Sequence, residues 1–310
     1  MIHIEQHGPV IAIRLARSFL GRPVYWTAAY WIDGLLIDSG PPCTARELTR
    51  YVKGLGLDQV VVTHAHEDHF GGLPHLRREF PDASFYAPRR ALEKIADPGL
   101  VRIQLFRRVL WGTPAPLTGL ESISDVDDRI MTPSYSFRAV ETPGHSPDHI
   151  SLFEPDQRWL FSGDAFIGGE EKAWPRDYDL FGVVSSLRTL ASLRPERLFP
   201  GSGTVRRTPI PDIHAKIGYY TRLAEQVAEY ELDGATISET AASLLGTDTR
   251  FRLWTGGSFT APHLVEACRA YNSLVRPRQQ LRHGSGATPK TGTQEDSIGP
   301  PYSRSTDWSL

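Results

Sequence analysis

The segment richest in reactive side chains is His64–His69, which holds three histidines, one aspartate and one glutamate. Imidazole nitrogens and carboxylate oxygens are the usual protein ligands of zinc. In an extended loop alternate side chains share a face, so His64 and His66 can point together while Asp68 and His69 turn to the other side. The spacing predicts two adjacent metal positions served by one loop. A surface loop that is merely rich in histidine is the alternative, and the density of ligands disfavours it.

Two further candidates stand at the ends of predicted strands downstream. His145 follows Gly144, and a glycine at this point permits a tight turn. Asp164 follows a Ser-Gly pair, where an aspartate more often caps a helix or stabilises a turn. Neither residue alone indicates a metal site. They become candidate metal ligands only in combination with the cluster His64–His69.

This series of motifs resembles the metallo-β-lactamase superfamily over roughly residues 1–220. The resemblance identifies the metal ligands as His64, His66, Asp68, His69, His145 and Asp164. The stretch Leu36–Gly40 is also similar to the family's strand that ends in Asp-x-Gly, in which Asp38 has a structural role. The family's fold is an α/β sandwich of the αββα type, with two mixed sheets inside, helices outside and the metal site at one edge.

One position departs from the family pattern. The family usually supplies a last histidine between two glycines, whereas this chain has Ser202 in the stretch Phe199–Gly203. A serine hydroxyl is a far weaker ligand than imidazole. His214 and His263, both on predicted helices, are alternative sources of the missing ligand, although a lone helical histidine is usually a surface residue.

The departure at Ser202 makes the two metal positions unequal. We expect one tight zinc site at His64, His66 and His145, and a second position that is weak or absent. The more oxygen-rich ligand set of the second position would favour manganese or iron over zinc.

The resemblance implies hydrolysis by a metal-bound hydroxide, because bound zinc lowers the pKa of its water to about 7. Asp68 is placed to orient the nucleophile or to relay its proton, which makes it the catalytic residue. The substrate would be a small ester, thioester, lactone or similar compound. The helical C-terminal part, including Ser258–Val265, is similar to glyoxalase II-like and LACTB-like hydrolases, in which extra helices wall the substrate cleft.

Three other functions stay open. His64, His145 and Asp164 can form the two-histidine, one-carboxylate set of a non-haem iron enzyme, as in the persulfide dioxygenase branch. A metal-dependent endoribonuclease is the second alternative. A non-catalytic metal-binding relic is the third, and Ser202 is the reason to consider it.

Several local patterns predict the elements that carry these residues. Asp33-Gly34 forms a hairpin turn between two apolar strands, and the apolar run ending at Val62 predicts a buried strand just before the first cluster. Thr44 with Glu47, and Thr236 with Glu239, have the spacing of helix capping boxes. Leu100–Trp111 is compatible with an Arg-rich amphipathic helix or with a lid over the site. These patterns divide the chain into a core over 1–208, a helical extension over 209–276 and a disordered tail over 277–310.

Composition limits the class of protein. The 310 residues carry a net charge of −2, which argues against a long nucleic acid or a membrane as partner and favours a small-molecule substrate.

The two cysteines, Cys43 and Cys268, form no CxxC pair and predict no disulfide framework. Acidic and basic residues near the start do not fit a signal peptide, and we expect a cytoplasmic protein. The oligomeric state is left open.

Overall fold

The computed structural model describes residues 1–101, 103–247 and 249–283. The strands are β1 (Ile2–His7), β2 (Val10–Leu15), β3 (Ser18–Phe19), β4 (Arg22–Pro23), β5 (Thr27–Ile32), β6 (Leu35–Ile37), β7 (Gln59–Val61), β8 (Ser84–Ala87), β9 (Glu121–Ser122), β10 (Arg129–Met131), β11 (Ser136–Glu141), β12 (Ile150–Glu154), β13 (Trp159–Gly163) and β14 (Arg197–Pro200). The α-helices are α1 (Ala45–Lys53), α2 (Glu67–Phe70), α3 (Leu73–Glu79), α4 (Arg89–Ala96), α5 (Leu105–Trp111), α6 (Leu180–Ser192), α7 (Pro209–Leu232), α8 (Ile237–Leu245), α9 (Thr249–Trp254) and α10 (Ala261–His283).

Two mixed sheets form the centre of the structure. The larger has the strand order β1-β2-β5-β6-β7-β8-β9, and its strands from β6 to β9 pair in parallel. The smaller has the order β10-β11-β12-β13-β14, in which only β13 and β14 pair in parallel. The predicted hairpin joins β5 to β6, and its turn residues Asp33 and Gly34 have φ angles of 50° and 83°. Positive φ at both positions is typical of the tight type I′ turn.

The two faces of each strand enter different apolar cores because side chains alternate along a strand. In β2, Val10 and Ala12 lie in the core between the sheets, whereas Ile13 packs in a second core beneath α1, α3 and α4. In the smaller sheet, Phe161 belongs to the core between the sheets and Leu160 to a third core on the outer face. Helices therefore cover the outer face of each sheet, and the predicted αββα sandwich is confirmed.

The helical extension packs directly on the smaller sheet. Leu198 of β14 shares one apolar core with Ile213 of α7 and Leu264 of α10. The helix α10 continues to His283, so the predicted boundary after residue 276 falls within a helix. The remainder of the predicted tail, 284–310, lies outside the described residues. No helix in the described ranges has both the length and the apolar character needed to cross a membrane.

One predicted capping box forms and the other does not. At α8 the Thr236 side chain accepts from the backbone N–H of Glu239, and the Glu239 carboxylate accepts from Thr236 N–H. At α1, Thr44 makes no capping bond; its hydroxyl donates to the carbonyl of Pro41, and Glu47 pairs with the amino terminus. The prediction at Thr44 is wrong because this residue closes a preceding 3-10 turn with helical backbone angles. A capping residue needs an extended backbone.

Candidate metal centre

The chain segments that carry the six predicted ligands meet at one edge of the sandwich. The first cluster begins three residues after β7, His145 lies in the turn between β11 and β12, and Asp164 directly follows β13. The predicted loop over the first cluster is partly helical, because His69 and Phe70 donate to the carbonyl of His66 at 2.9 and 3.1 Å and start α2. His64 therefore lies in a bend and His66 on extended backbone, whereas Asp68 and His69 lie on a helical turn.

Three imidazoles converge on one point. The Nδ1 atom of His66 lies 2.9 Å from Nε2 of His64 and 2.9 Å from Nε2 of His145. We call these residues the three-imidazole group. His64 is completely buried, and His145 is 5% exposed. A tetrahedral zinc site with Zn–N bonds of about 2.0–2.1 Å requires nitrogens about 3.3 Å apart, so small side-chain movements would seat a metal ion here.

The protonation state of the three-imidazole group suits a metal. Burial and the neighbouring histidines hold the pKa of His64 well below its ordinary value. Burial, with His145 and Arg107, has the same effect on the pKa of His66. Burial lowers the pKa of His145 to about 3 against the opposing effect of Asp164. Neutral imidazoles carry a lone pair, which is the form that binds zinc. The donor set present therefore fits a zinc ion.

A second set of ligand atoms lies alongside and shares His64. Its members are His64, His69 and Asp164, which we call the mixed group. His69 Nε2 lies 3.4 Å from Asp164 Oδ1, and Asp164 Oδ2 lies 3.4 Å from His145 Nε2. The Asp164 carboxylate thus faces both groups.

Charge in the mixed group is internally balanced. Burial lowers the pKa of His69, but the carboxylates of Asp164, Asp38 and Asp68 outweigh burial and raise it well above its ordinary value. Burial alone would raise the pKa of Asp164, but His69 and His145 hold it well below its ordinary range. The two side chains therefore form an ion pair, in which His69 is buried and Asp164 is partly exposed.

Asp38 holds ligands of both groups in position. One of its oxygens accepts from the backbone N–H of Thr63 at 2.7 Å, and the other lies 2.8 Å from Nδ1 of His69. The Thr63 hydroxyl donates to the same carboxylate and lies 3.0 Å from Nδ1 of His64. Because that hydroxyl donates to Asp38, it accepts the Nδ1 proton of His64 and leaves Nε2 of His64 free to bind a metal. Asp38 has a φ angle of 62°, which aspartate tolerates better than most residues.

His149 supports Asp164 and is not a ligand in either group. Its Nε2 accepts from the backbone N–H of Asp164 at 3.0 Å, and its Nδ1 lies 2.8 Å from the Thr142 hydroxyl. Burial lowers its pKa to about 4, so the ring stays neutral and can accept at Nε2. His149 lies directly before β12 and supports the backbone at Asp164.

Asp68 stands at the border of the mixed group. Its Oδ2 lies 3.8 Å from Nε2 of His69, while its Oδ1 accepts from Arg107 at 3.0 Å. Arg107 also donates to both oxygens of Glu67, at 2.5 and 3.2 Å. Burial raises the pKa of Asp68 to about 6, although His69 and Arg107 act in the opposite direction.

The region of the missing family histidine lies against the mixed group. A Cβ atom on Gly201 would stand 2.0 Å from Asp164 Oδ1 and 3.0 Å from Cε1 of His69, so only glycine fits there. Neither alternative histidine joins a group of ligands among the described residues. His214 is exposed on α7, and His263 has Nδ1 3.2 Å from the carbonyl of Trp174.

Three side chains that the motifs do not reveal complete the surroundings, namely Tyr178, Phe259 and Arg107. The ring of Tyr178 lies 4.6 Å from that of His145, and the ring of Phe259 lies 6.5 Å beyond Tyr178. Arg107 comes from α5, in the segment whose sequence is compatible with either a helix or a lid. One sequence signal points to Arg107. It lies on the apolar face of the amphipathic helix, the face that also carries Leu110.

Comparison with known proteins gives a family. A family model described as the metallo-beta-lactamase superfamily matches residues 27–202, which is more than half of the chain. The match includes every residue of the three-imidazole and mixed groups.

Several curated proteins are similar in sequence. A beta-lactamase-like protein 2 homolog of Drosophila melanogaster is 25% identical over 74% of this chain and 76% of its own length. A hydroxyacylglutathione hydrolase of Hamiltonella defensa is 28% identical over 62% of this chain and 69% of its own length. An atrochrysone carboxyl ACP thioesterase of Aspergillus fumigatus is 28% identical over 63% of this chain, but the match spans only 41% of the fungal protein.

Solved structures agree on the fold. A beta-lactamase domain protein from Burkholderia ambifaria has a TM-score of 0.63 at 17% identity, over 88% of this chain and 89% of its own. A metallo-beta-lactamase family protein from Thermus thermophilus has a TM-score of 0.61 at 16% identity, over 87% of this chain and 94% of its own. At such low identity the likeness concerns the fold alone.

Proposed function

Because the chain belongs to the metallo-β-lactamase superfamily, we propose that it is a metal-dependent hydrolase whose metal is zinc, held by the three-imidazole group. The observation that carries this proposal is the convergence of three neutral imidazoles, in which Nδ1 of His66 lies 2.9 Å from Nε2 of both His64 and His145. Such a set has no protons to lose on binding a cation and leaves a fourth position of a tetrahedral ion open.

A bound zinc ion supplies a nucleophile at neutral pH, because it lowers the pKa of its water to about 7. The protein's part is to fix the ligands. Asp38, through Thr63, sets the tautomer of His64 and also orients His69 directly. Fixed ligand tautomers keep the geometry of the site constant through the reaction.

Asp68 is the proposed proton acceptor. Its Oδ2 lies 3.8 Å from Nε2 of His69, while Oδ1 is held by Arg107. The carboxylate is therefore oriented by one oxygen and presents the other toward the ligand groups. A carboxylate in this position can take a proton from the nucleophile and return it to the leaving group.

We propose a thioester as the first substrate class to test. Two of the similar proteins are named as a hydroxyacylglutathione hydrolase and an acyl carrier protein thioesterase. The aromatic side chains beside His145, namely Tyr178 and then Phe259, offer an apolar wall for an acyl group. Esters, lactones and β-lactams suit the same ligands and belong in the same panel.

The test is an activity panel over thioester, ester, lactone, β-lactam and phosphodiester substrates, each with zinc, manganese or iron supplied. We expect the thioester with zinc to be hydrolysed fastest. Activity on none of them, in protein shown to contain one equivalent of zinc, would refute the proposal.

A second function, an iron-dependent oxidoreductase, is favoured by the composition of the mixed group. Two histidines and one carboxylate are the ligand set of many non-haem iron enzymes. Metal analysis of protein produced without added zinc separates the two functions. Stoichiometric iron together with thiol-dependent oxygen uptake would support the oxidoreductase and overturn hydrolysis.

A further inference from the structure

Arg107 is the only described cation whose side chain is hydrogen-bonded to residues of the first cluster. It belongs to α5, which lies in the connection between β8 and β9. The guanidinium group forms a two-pronged bond to Glu67 and a single bond to Asp68. All three side chains are nearly removed from solvent, with exposures of 10%, 1% and 6% for Arg107, Glu67 and Asp68.

The position of Arg107 in its helix is fixed on several sides. Its guanidinium carbon lies 4.6 Å from the ring centre of Trp111 in the same helix. The carbonyl of Leu110, on the same buried face of α5, accepts from Nε of Arg17 at 2.6 Å. An arginine so held is a permanent charge, because guanidinium does not lose its proton in proteins.

We propose that Arg107 is a positioning residue that takes the place of a second metal ion: it holds Asp68 and keeps a divalent cation from binding tightly at the mixed group. A cation that binds near His69 Nε2 and Asp164 would recruit Asp68 as the other carboxylate close to Nε2, since Asp38 contacts Nδ1. Arg107 already donates to one oxygen of that carboxylate and would repel a second positive charge placed beside it. This inference rests on the proposed metal-binding function, and it supplies a cause of unequal sites that is independent of Ser202.

Arg107 also differs from a purely structural anchor in a testable way. An anchor for α5 depends on the forked shape of the guanidinium group, whereas repulsion of a cation depends only on positive charge. Lysine at this position keeps the charge and loses the fork. Glutamine loses the charge and keeps some capacity to donate hydrogen bonds.

The experiment is a zinc titration of chelator-stripped full-length protein by calorimetry, repeated with cobalt, whose visible absorption reports each site. The variants are Arg107→Gln and Arg107→Lys, and the matched control is Arg108→Gln, which removes the same charge from an exposed position of α5. We expect Arg107→Gln to tighten the second equivalent at least about tenfold, while the first equivalent changes little. Arg107→Lys and Arg108→Gln should leave the second equivalent weak.

Removal of Arg107 leaves Glu67 and Asp68 as two buried like charges, and this can impair folding. The double variant Glu67→Gln/Arg107→Gln avoids the problem because it removes one charge of each sign. Melting curves identify which variants are folded, and the same tightening is expected in the double variant.

The outcomes separate this inference from the proposed function. If wild-type protein binds no tight equivalent of zinc, the metal-binding proposal itself fails. If the first equivalent is tight but the second stays weak in folded Arg107→Gln or in the double variant, only the role of Arg107 is overturned. Tightening in Arg107→Lys equal to that in Arg107→Gln would also overturn it, because the charge would then have no effect.

Discussion

The three-imidazole group and the mixed group share His64 and lie side by side, but they differ in charge state. The first consists of neutral imidazoles, whereas the second contains an ion pair. In the first, burial keeps His66 and His145 neutral, and their facing ring nitrogens lie 2.9 Å apart. In the second, His69 and Asp164 form an ion pair that is already satisfied. A neutral imidazole gives up no ionic contact when it binds a cation. His69 and Asp164 would have to break their ion pair to bind one.

This difference shows that a shared set of residue types does not make two equivalent binding positions. In our proposal, Arg107 on Asp68 and serine where the family usually has histidine weaken metal binding at the mixed group further. We therefore propose a centre with one strong and one weak position. Four substitutions test this comparison, in order of decreasing expected effect.

Replacement of His66 by alanine should produce the largest loss. It removes the nitrogen that lies between His64 and His145, and we expect zinc affinity to fall at least about 100-fold, since even the loss of an outer partner of a ligand costs 10–100-fold. Hydrolysis should fall with it. Zinc content after dialysis and turnover are the measurements, and His214→Ala, at an exposed position, is the control. Near-normal zinc content in His66→Ala would remove the basis for assigning this group as the strong position.

Asp68→Asn should separate rate from metal content. Asparagine retains an oxygen that can accept from Arg107 but cannot take up a proton, so we expect kcat to fall about 100-fold or more. The first equivalent of zinc should bind as in the wild type, because Asp68 is outside the three-imidazole group. Parallel measurement of kcat and of the first dissociation constant tests this. Equal losses in both would make Asp68 a ligand of the strong position.

Asp38→Asn should weaken both groups together. Asp38 reaches His64 through Thr63 and contacts His69 directly, and asparagine tolerates the positive φ angle at this position. The loss of a carboxylate acceptor should weaken binding of the first zinc about 10–100-fold. Competition with a chelator of known affinity measures the change. An unaltered affinity would mean that the ligands keep their orientation without Asp38.

Ser202→His should affect the weak position alone. An imidazole added next to Gly201, which lies against Asp164 and His69, should tighten the second equivalent of zinc about tenfold, or by about 1.4 kcal/mol, and leave the first unchanged. Ser202→Ala is the control and should change neither. Two equally tight equivalents in the wild type would contradict the comparison on which all four substitutions rest.

Local patterns in the sequence were enough to predict much of the fold. The hairpin at Asp33-Gly34, the buried strand before the first cluster and the capping box at Thr236 all form as predicted. Each depends on residues a few positions apart, whose preferred backbone angles or alternating burial act locally. The capping box at Thr44 fails for a local reason as well, because a 3-10 turn occupies the residue that should be extended.

The sequence by itself also determined which residue types stand at the strand ends where the two ligand groups form. It did not determine how those residues are charged or which partners hold them. The bonds from Arg107 to Glu67 and Asp68 join residues about 40 positions apart, and the contact between Asp38 and His69 spans 31. Such contacts cannot be predicted from a local sequence pattern, because their residues lie far apart in the chain. They exist only because the parallel strands and the connection that carries α5 bring distant segments to one edge of the sandwich, where burial then sets each pKa.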